Sequence, residues 1–209
     1  MQNLSALLAN RDNRLYLKRS GMVTRCRLAC EALAQGRGAV ILARDREEFH
    51  AARALLTLFL PQLSLGDAPV GKPVWESPCL SLPAMSQWRD RDSWAARMAA
   101  LYALAQGGPR CVVAGVESAL LRYMPLKFFD ARTLDLQRGG EYSPELILDQ
   151  AVEWGYERVS LVTRPGEMAR RGDILDIFPP GYARPARLEF FGDSIEEMRL
   201  FDAESQRSL

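Results

Sequence analysis

The stretch that decides the fold runs from Met168 to Gly181: Met-Ala-Arg-Arg-Gly-Asp-Ile-Leu-Asp-Ile-Phe-Pro-Pro-Gly. Its apolar and charged residues alternate as in a β-strand, whose side chains point to opposite faces in turn. Read as one strand, Arg171, Asp173, Leu175 and Ile177 share one side, and Ile174, Asp176 and Phe178 the other. Pro179-Pro180-Gly181 ends the pairing and turns the chain. Asp176 is expected to anchor nearby backbone donors, and Gly172 to permit close backbone packing beside Arg171. The embedded Arg-Gly-Asp is a tripeptide known from adhesion ligands. Inside a strand it offers no flexible loop, and Met1–Asn10 lacks the basic start and long apolar run of a secretion signal.

Around this stretch the pattern is that of a small α+β module. From Arg158 onward four or five strand-like segments follow, with turn signals at Pro165-Gly166, Pro179-Pro180-Gly181 and Gly192-Asp193. Ahead of them Ser143-Pro144 opens a helix with a capping hydroxyl and a proline at the first helical position. Ile147, Ala151 and Trp154 line one face of that helix, and Gly155 closes it. Ala131–Gly139 alternates like a further half-buried strand.

The first part of the chain reads differently. Val23–Ala34 is a helical pattern closed by Gly36, and Gly38–Arg44 is a continuous apolar run of the kind found in buried parallel strands. Asp45 is placed to cap a helix from Arg46 to Leu60, ended by Pro61. Five prolines between 61 and 90 favour extended or loop structure. Asp92–Gln106 repeats Trp94, Met98, Leu101 and Ala105 at helical spacing, Arg110–Gly115 is a second buried strand, and a short helix reaches Arg122. Strands alternating with helices imply a parallel, Rossmann-like sheet. Charge divides the chain at the same place: residues 1–127 carry 17 Lys/Arg against 10 Asp/Glu, residues 128–209 carry 10 against 16. The expected fold is α/β, with a parallel-sheet domain over 1–127 followed by an α+β domain with an antiparallel sheet over 128–209.

Several chemistries are excluded. Four cysteines without a Cys-x-x-Cys pair, and a single histidine, do not supply a structural zinc site. Cys26 and Cys30, one helical turn apart, read as buried free thiols in a reducing compartment, which places the chain in the cytoplasm. No apolar run is long enough to span a membrane. Gly66-Asp-Ala-Pro-Val-Gly-Lys-Pro73 matches the start of a phosphate-binding loop, but Pro73 replaces the hydroxyl that would hold Mg²⁺ and Pro69 removes a backbone donor. His50 reads as exposed or structurally satisfied, and the Glu47-Glu48 and Glu196-Glu197 pairs as solvated faces. No catalytic constellation is visible.

Residues 166–209 carry a resemblance. Gly166-Glu167, Arg171-Gly172, Asp176-x-Phe178-Pro179, Arg187-x-x-Phe190-Phe191-x-Asp193-x-Ile195-Glu196 and Phe201-Asp202-x-x-Ser205-Gln206-Arg207 strongly resemble the bacterial transcription-repair coupling factors. The excision-repair protein UvrB shares a looser version. "GKPVWESPCLSLP" and the following helix–strand segment are similar to the same family more weakly. Where UvrB has its nucleotide-binding Gly-Lys-Thr loop, this chain has Arg25-Cys26-Arg27. The resemblance therefore implies a degenerate, helicase-like first domain without ATP binding, with ATP and Mg²⁺ used only by motor domains elsewhere in a longer protein. It implies a second domain that docks the repair protein UvrA through Arg171, Arg187 and Phe191, while RNA polymerase and DNA are reached through other domains. The chain is expected to be an N-terminal fragment that ends before its module closes. A purely structural reading instead pairs the two arginines with Glu167, Asp173 or Glu189 and buries Phe191. The rival from another class is a nucleic-acid-binding module using Arg11, Arg14, Lys18, Arg19, Arg25 and Arg27.

Overall fold

The computed structural model describes residues 20–60, 77, 79–82, 91–125 and 127–208. The phosphate-loop look-alike at 66–73 and the basic residues Arg11, Arg14, Lys18 and Arg19 lie outside the described residues.

The first sheet has three parallel strands in the order β1 (Ala39–Ala43), β3 (Cys111–Gly115), β2 (Cys79–Leu82). β3 is buried on both sides because its alternate residues enter two separate cores. Cys111 and Val113 pack with α1 (Met22–Ala34) and α2 (Arg46–Phe59) around Phe49, Ala52 and Leu56. Val112 and Ala114 pack with α3 (Arg91–Ala105) and with Phe129 of the short helix α5 (Lys127–Asp130). This three-layer arrangement is what a continuous apolar strand requires. As the sequence indicated, Asp45 caps α2, its carboxylate accepting from the Glu48 amide at 2.8 Å. The chain leaves α1 through Gly36, φ +71°, while the Arg37 amide bonds back to the Ala32 carbonyl. All four cysteines are free, and burial pushes the Cys26 thiol up to about 11.

Two expectations for this half are adjusted. The helix after β3 is a single turn, α4 (Val116–Ala119), and does not reach Arg122. On α3 the buried residues include Ala95, Ala99, Ala100, Leu101 and Ala103, so small residues let the helix lie close to the sheet. Trp94 turns instead toward the other half of the molecule.

The second sheet has five strands in sequential order: β4 (Glu157–Arg158), β5 (Glu167–Arg171), β6 (Ile174–Ile177), β7 (Ala186–Phe191) and β8 (Ser194–Leu200). It is mixed, because β4 pairs parallel to β5 before three antiparallel pairings follow. The inner face, formed by Met168, Leu175, Leu188, Phe190 and Ile195, is covered by Ile147, Leu148 and Ala151 of α6 (Pro144–Glu153). Ser143 caps α6 and Pro144 opens it, as read. Ala131–Gly139 forms no strand. Gly139 adopts φ +77°, and a few backbone bonds, including Gly139 to Ile195 at 2.7 Å and Tyr142 to Asp193, tie this segment to the edge of β8.

The deciding stretch is not one strand but a hairpin. β5 ends at Arg171 and β6 begins at Ile174, which are paired across a two-residue Gly172-Asp173 turn. Gly172 has φ +61°, the sign a type II′ hairpin turn requires at its first position. The turn reverses the alternation that a single strand would have carried through. Arg171 therefore shares a face with Ile174 and Asp176, not with Leu175 and Ile177.

The two halves meet where α3 begins. The Arg91 guanidinium donates to the Gly155 carbonyl at 2.8 Å and to Glu157 at 2.7 Å, and Trp94 packs edge-on against Tyr156. Gly166, φ +83°, lies against the indole, and a Cβ there would come within 2.7 Å of Trp94. Gly166→Ala should therefore destabilise the chain by about 1 kcal/mol or more in urea unfolding and shift the tryptophan emission; unchanged stability and emission would refute this account of the junction.

Candidate functional site: the outer face of the second sheet

α6 covers one face of the second sheet, and the other carries the charged residues. Cross-strand neighbours share a face, so the register sets Asp176 opposite Arg187 and Arg187 opposite Arg199. Ile174 lies opposite Glu189, and Glu189 opposite Glu197. Along β7 the same side continues through Arg187 and Glu189 to Phe191. The register shift at Glu189/Phe190 leaves Glu196 on β8 as the extra residue, so the alternation of β7 is preserved.

Arg171, Arg187 and Phe191 therefore lie on one face. Arg171 and Phe191 end β5 and β7, which run in the same direction, and each immediately precedes a Gly-Asp turn; Gly192 has φ +63°. Phe191 is 80% exposed while its neighbour Phe190 is buried, which is the division that adjacent strand residues permit. Ile174 adds exposed apolar surface beside them.

The centre of this face is a buried carboxylate. Asp176 is 2% exposed, and accepts from Arg187 Nε at 2.7 Å and Nη2 at 2.9 Å in a forked, bidentate pair. It anchors side-chain donors, where the sequence had indicated backbone donors. Its hydrogen bonds hold the Arg187 guanidinium above the usual arginine value, and Glu189 adds to the effect. Arg171 reaches the same carboxylate from the other side at 3.7 Å while remaining 56% exposed. Beneath Arg187 lies the ring of Phe201, 4.6 Å from the guanidinium carbon.

Phe201 is fully buried with Val162, Ala169 and Phe178. The segment after it is tied down by Asp202, which accepts from the Ser205 amide and hydroxyl at 2.8 Å. Gln206, in the left-handed region at φ 59°, donates to the Val162 carbonyl at 3.0 Å. The Phe-Asp-x-x-Ser-Gln pattern thus fixes the aromatic floor of the arginine site.

The neighbouring charges are already committed. Glu167 accepts from Thr163 and Arg164 amides in the preceding turn, and Arg199 bridges Glu189 at 2.5 Å and Glu197 at 3.1 Å. Arg170, next to Arg171, points to the inner side and pairs with Glu145 on α6, which lowers the Glu145 pKa. The purely structural reading is therefore met in one respect, since Arg187 is held by an acid, though by Asp176 and not by Glu167, Asp173 or Glu189.

The other candidates do not assemble a site. Arg25 and Cys26 lie inside α1, where Arg25 pairs with Glu48 at 3.4 Å. His50 is exposed and accepts from Arg46 Nε. Among the described residues no group of His, Cys, Asp or Glu could hold a metal ion, and no helix is long and apolar enough to cross a membrane. The sequence reading missed Asp176 as the common partner of two arginines, and Phe201 as their floor. The Gly-Asp dipeptide at 172–173, identical to the turn signal recognised at 192–193, was the available clue.

The described part of residues 134–209 is a mixed sheet with one helix on its inner face and a charged, aromatic-tipped outer face, and residues 134–209 match the family described as the UvrB interaction domain. Relatives extend the match into the first half of the chain. The transcription-repair-coupling factor of Mycobacterium tuberculosis is 37% identical over 189 residues, 87% of this chain and 14% of that protein. That of Escherichia coli K12 is 34% identical over 170 residues, 81% of the chain and 14% of that protein, and that of Bacillus subtilis 32% over 115 residues, 55% of the chain and 10% of that protein. The chain is similar to transcription-repair-coupling factors over most of its length. It spans about one seventh of the length of the first two of these relatives.

The geometry separates the two arginines energetically. Arg187→Ala strands a buried carboxylate and should cost about 3–5 kcal/mol. Arg171→Ala, at an exposed and longer ion pair, should stay within about 1 kcal/mol. Equal losses for the two variants in thermal or urea unfolding would contradict this arrangement.

Proposed function

We propose that the outer face of the second sheet is a docking surface for UvrA, and that the chain recruits UvrA during transcription-coupled excision repair. The observation that carries this reading is the placement of Arg171, Arg187 and Phe191 on one face, with Phe191 projecting at 80% exposure from a domain of the UvrB interaction family. An exposed aromatic beside arginines is the composition of interface residues that dominate binding energy. The aromatic ring buries area in a socket of the partner, and Arg171, 56% exposed and only 3.7 Å from Asp176, is placed to pair with a carboxylate of that partner.

Phe191→Ala should weaken UvrA binding at least about tenfold in a titration and leave the melting temperature of the chain unchanged, because the ring contributes nothing to the core. Wild-type affinity in this variant would remove the docking assignment.

The first half fits a helicase-like domain that has lost its nucleotide loop. The parallel sheet with helices on both faces supports this, as does the position of Arg25-Cys26-Arg27 within α1. On this reading the chain has no ATPase of its own. ATP-driven translocation on DNA and contact with RNA polymerase belong to other parts of a full-length protein in the cytoplasm. Titration with a fluorescent ATP analogue and Mg²⁺ should give no saturable binding, and a saturable signal would restore an ATP-binding function to the first domain.

A further inference from the structure

Asp176 has almost no surface through which a partner could touch it, yet both arginines of the outer face converge on it. Its two oxygens accept the fork of Arg187, at 2.7 and 2.9 Å, and Oδ2 also lies 3.7 Å from Arg171. Arg187 is confined from below as well, by the Phe201 ring 4.6 Å away. A guanidinium fixed by a bidentate acid on one side and an aromatic face on another has lost most of its rotameric freedom before any partner arrives. Arg171 has no such floor and is held at one end only, so its order depends on the same carboxylate. The remaining acids of the face do not substitute for Asp176. Glu189 and Glu197 are engaged by Arg199, and Glu167 by the turn at Thr163 and Arg164.

From this geometry we infer that Asp176 is the positioning residue of the docking face: it acts on the partner only through Arg187 and Arg171, by presenting them in one fixed orientation. The inference rests on the docking reading above and adds a residue that the partner does not contact. It has a consequence opposite to simple charge matching. Asp176→Asn removes a negative charge and makes the face more positive by one charge, so attraction to an acidic partner increases. If presentation governs binding, the same change weakens it.

The test uses the 209-residue chain, UvrA and two readouts. In the free chain, the Nε–H resonance of Arg187 is followed by NMR in wild type and Asp176→Asn, with circular dichroism and the core amides of β5–β8 reporting the fold. Affinity for UvrA is then measured well below the melting temperature and over a range of salt concentration. The expected result is a folded variant whose Arg187 resonance has lost its protection from exchange, and whose UvrA affinity has fallen at least tenfold at every salt concentration. A merely structural Asp176 would lower the melting temperature and leave the affinity of the folded chain unchanged. Unchanged or tighter binding overturns the inference while the docking reading stands. If wild type itself does not bind UvrA, both fall together. Should Asp176→Asn fail to fold, Asp176→Glu takes its place, keeping the charge and moving the carboxylate by one methylene. Binding weakened severalfold is then expected, and wild-type affinity overturns the inference.

Discussion

The outer face depends on one interaction, the bidentate pair between Asp176 and Arg187 laid over Phe201. A carboxylate with 2% exposure is costly to desolvate, and is tolerated because a guanidinium supplies two charge-assisted hydrogen bonds in matching geometry. Such a pair adds little net stability over a well-packed apolar pair, but it fixes where charge appears on the surface. The rest of the second sheet serves this arrangement. α6 takes the inner face, so the charged residues and the small Phe201 cluster lie on the other. The segment from Phe201 to Gln206 holds the aromatic floor, and two Gly-Asp turns bring the ends of β5 and β7 to the same edge.

Stability and the proposed recognition are consequently separated by residue, not by region. Phe190 and Phe191 are adjacent, yet one belongs to the core under α6 and the other to solvent. Arg170 and Arg171 divide in the same way, one tying the hairpin to α6 and the other facing outward. Arg187 alone has both roles, since it neutralises a buried acid and still leaves 18% of its side chain exposed on the outer face. On the proposed docking role, loss of binding in an Arg187 variant would mix folding with docking, whereas Phe191 would report docking alone.

Much of this was legible in the sequence. The buried strand at Cys111–Gly115, the Asp45 and Ser143 caps and the opposed roles of Phe190 and Phe191 follow from local patterns that the structure keeps, whereas the apolar run at Ala39–Ala43 forms its strand but leaves Val40 and Leu42 exposed. What failed depended on longer-range geometry. The two-residue Gly172-Asp173 turn leaves no gap between the two runs and shifts the alternation by only one residue, so one strand and a hairpin look alike in sequence. The face of Arg171 was inverted as a result. Ala131–Gly139 also alternates, but with Gly139 in the left-handed region it makes only scattered bonds to the edge of β8. The Asp176–Arg187 partnership spans eleven residues and two strands, and only the register reveals it.

The central claim is that UvrA meets the outer face at Phe191 and not the α6 side of the sheet. It is tested most directly by placing the photo-crosslinker p-benzoylphenylalanine at position 191, and in a second protein at position 146 on the exposed side of α6. Irradiation with UvrA should give a covalent adduct from position 191 and none from position 146. Adducts from position 146 alone, or from both positions equally, would contradict the account.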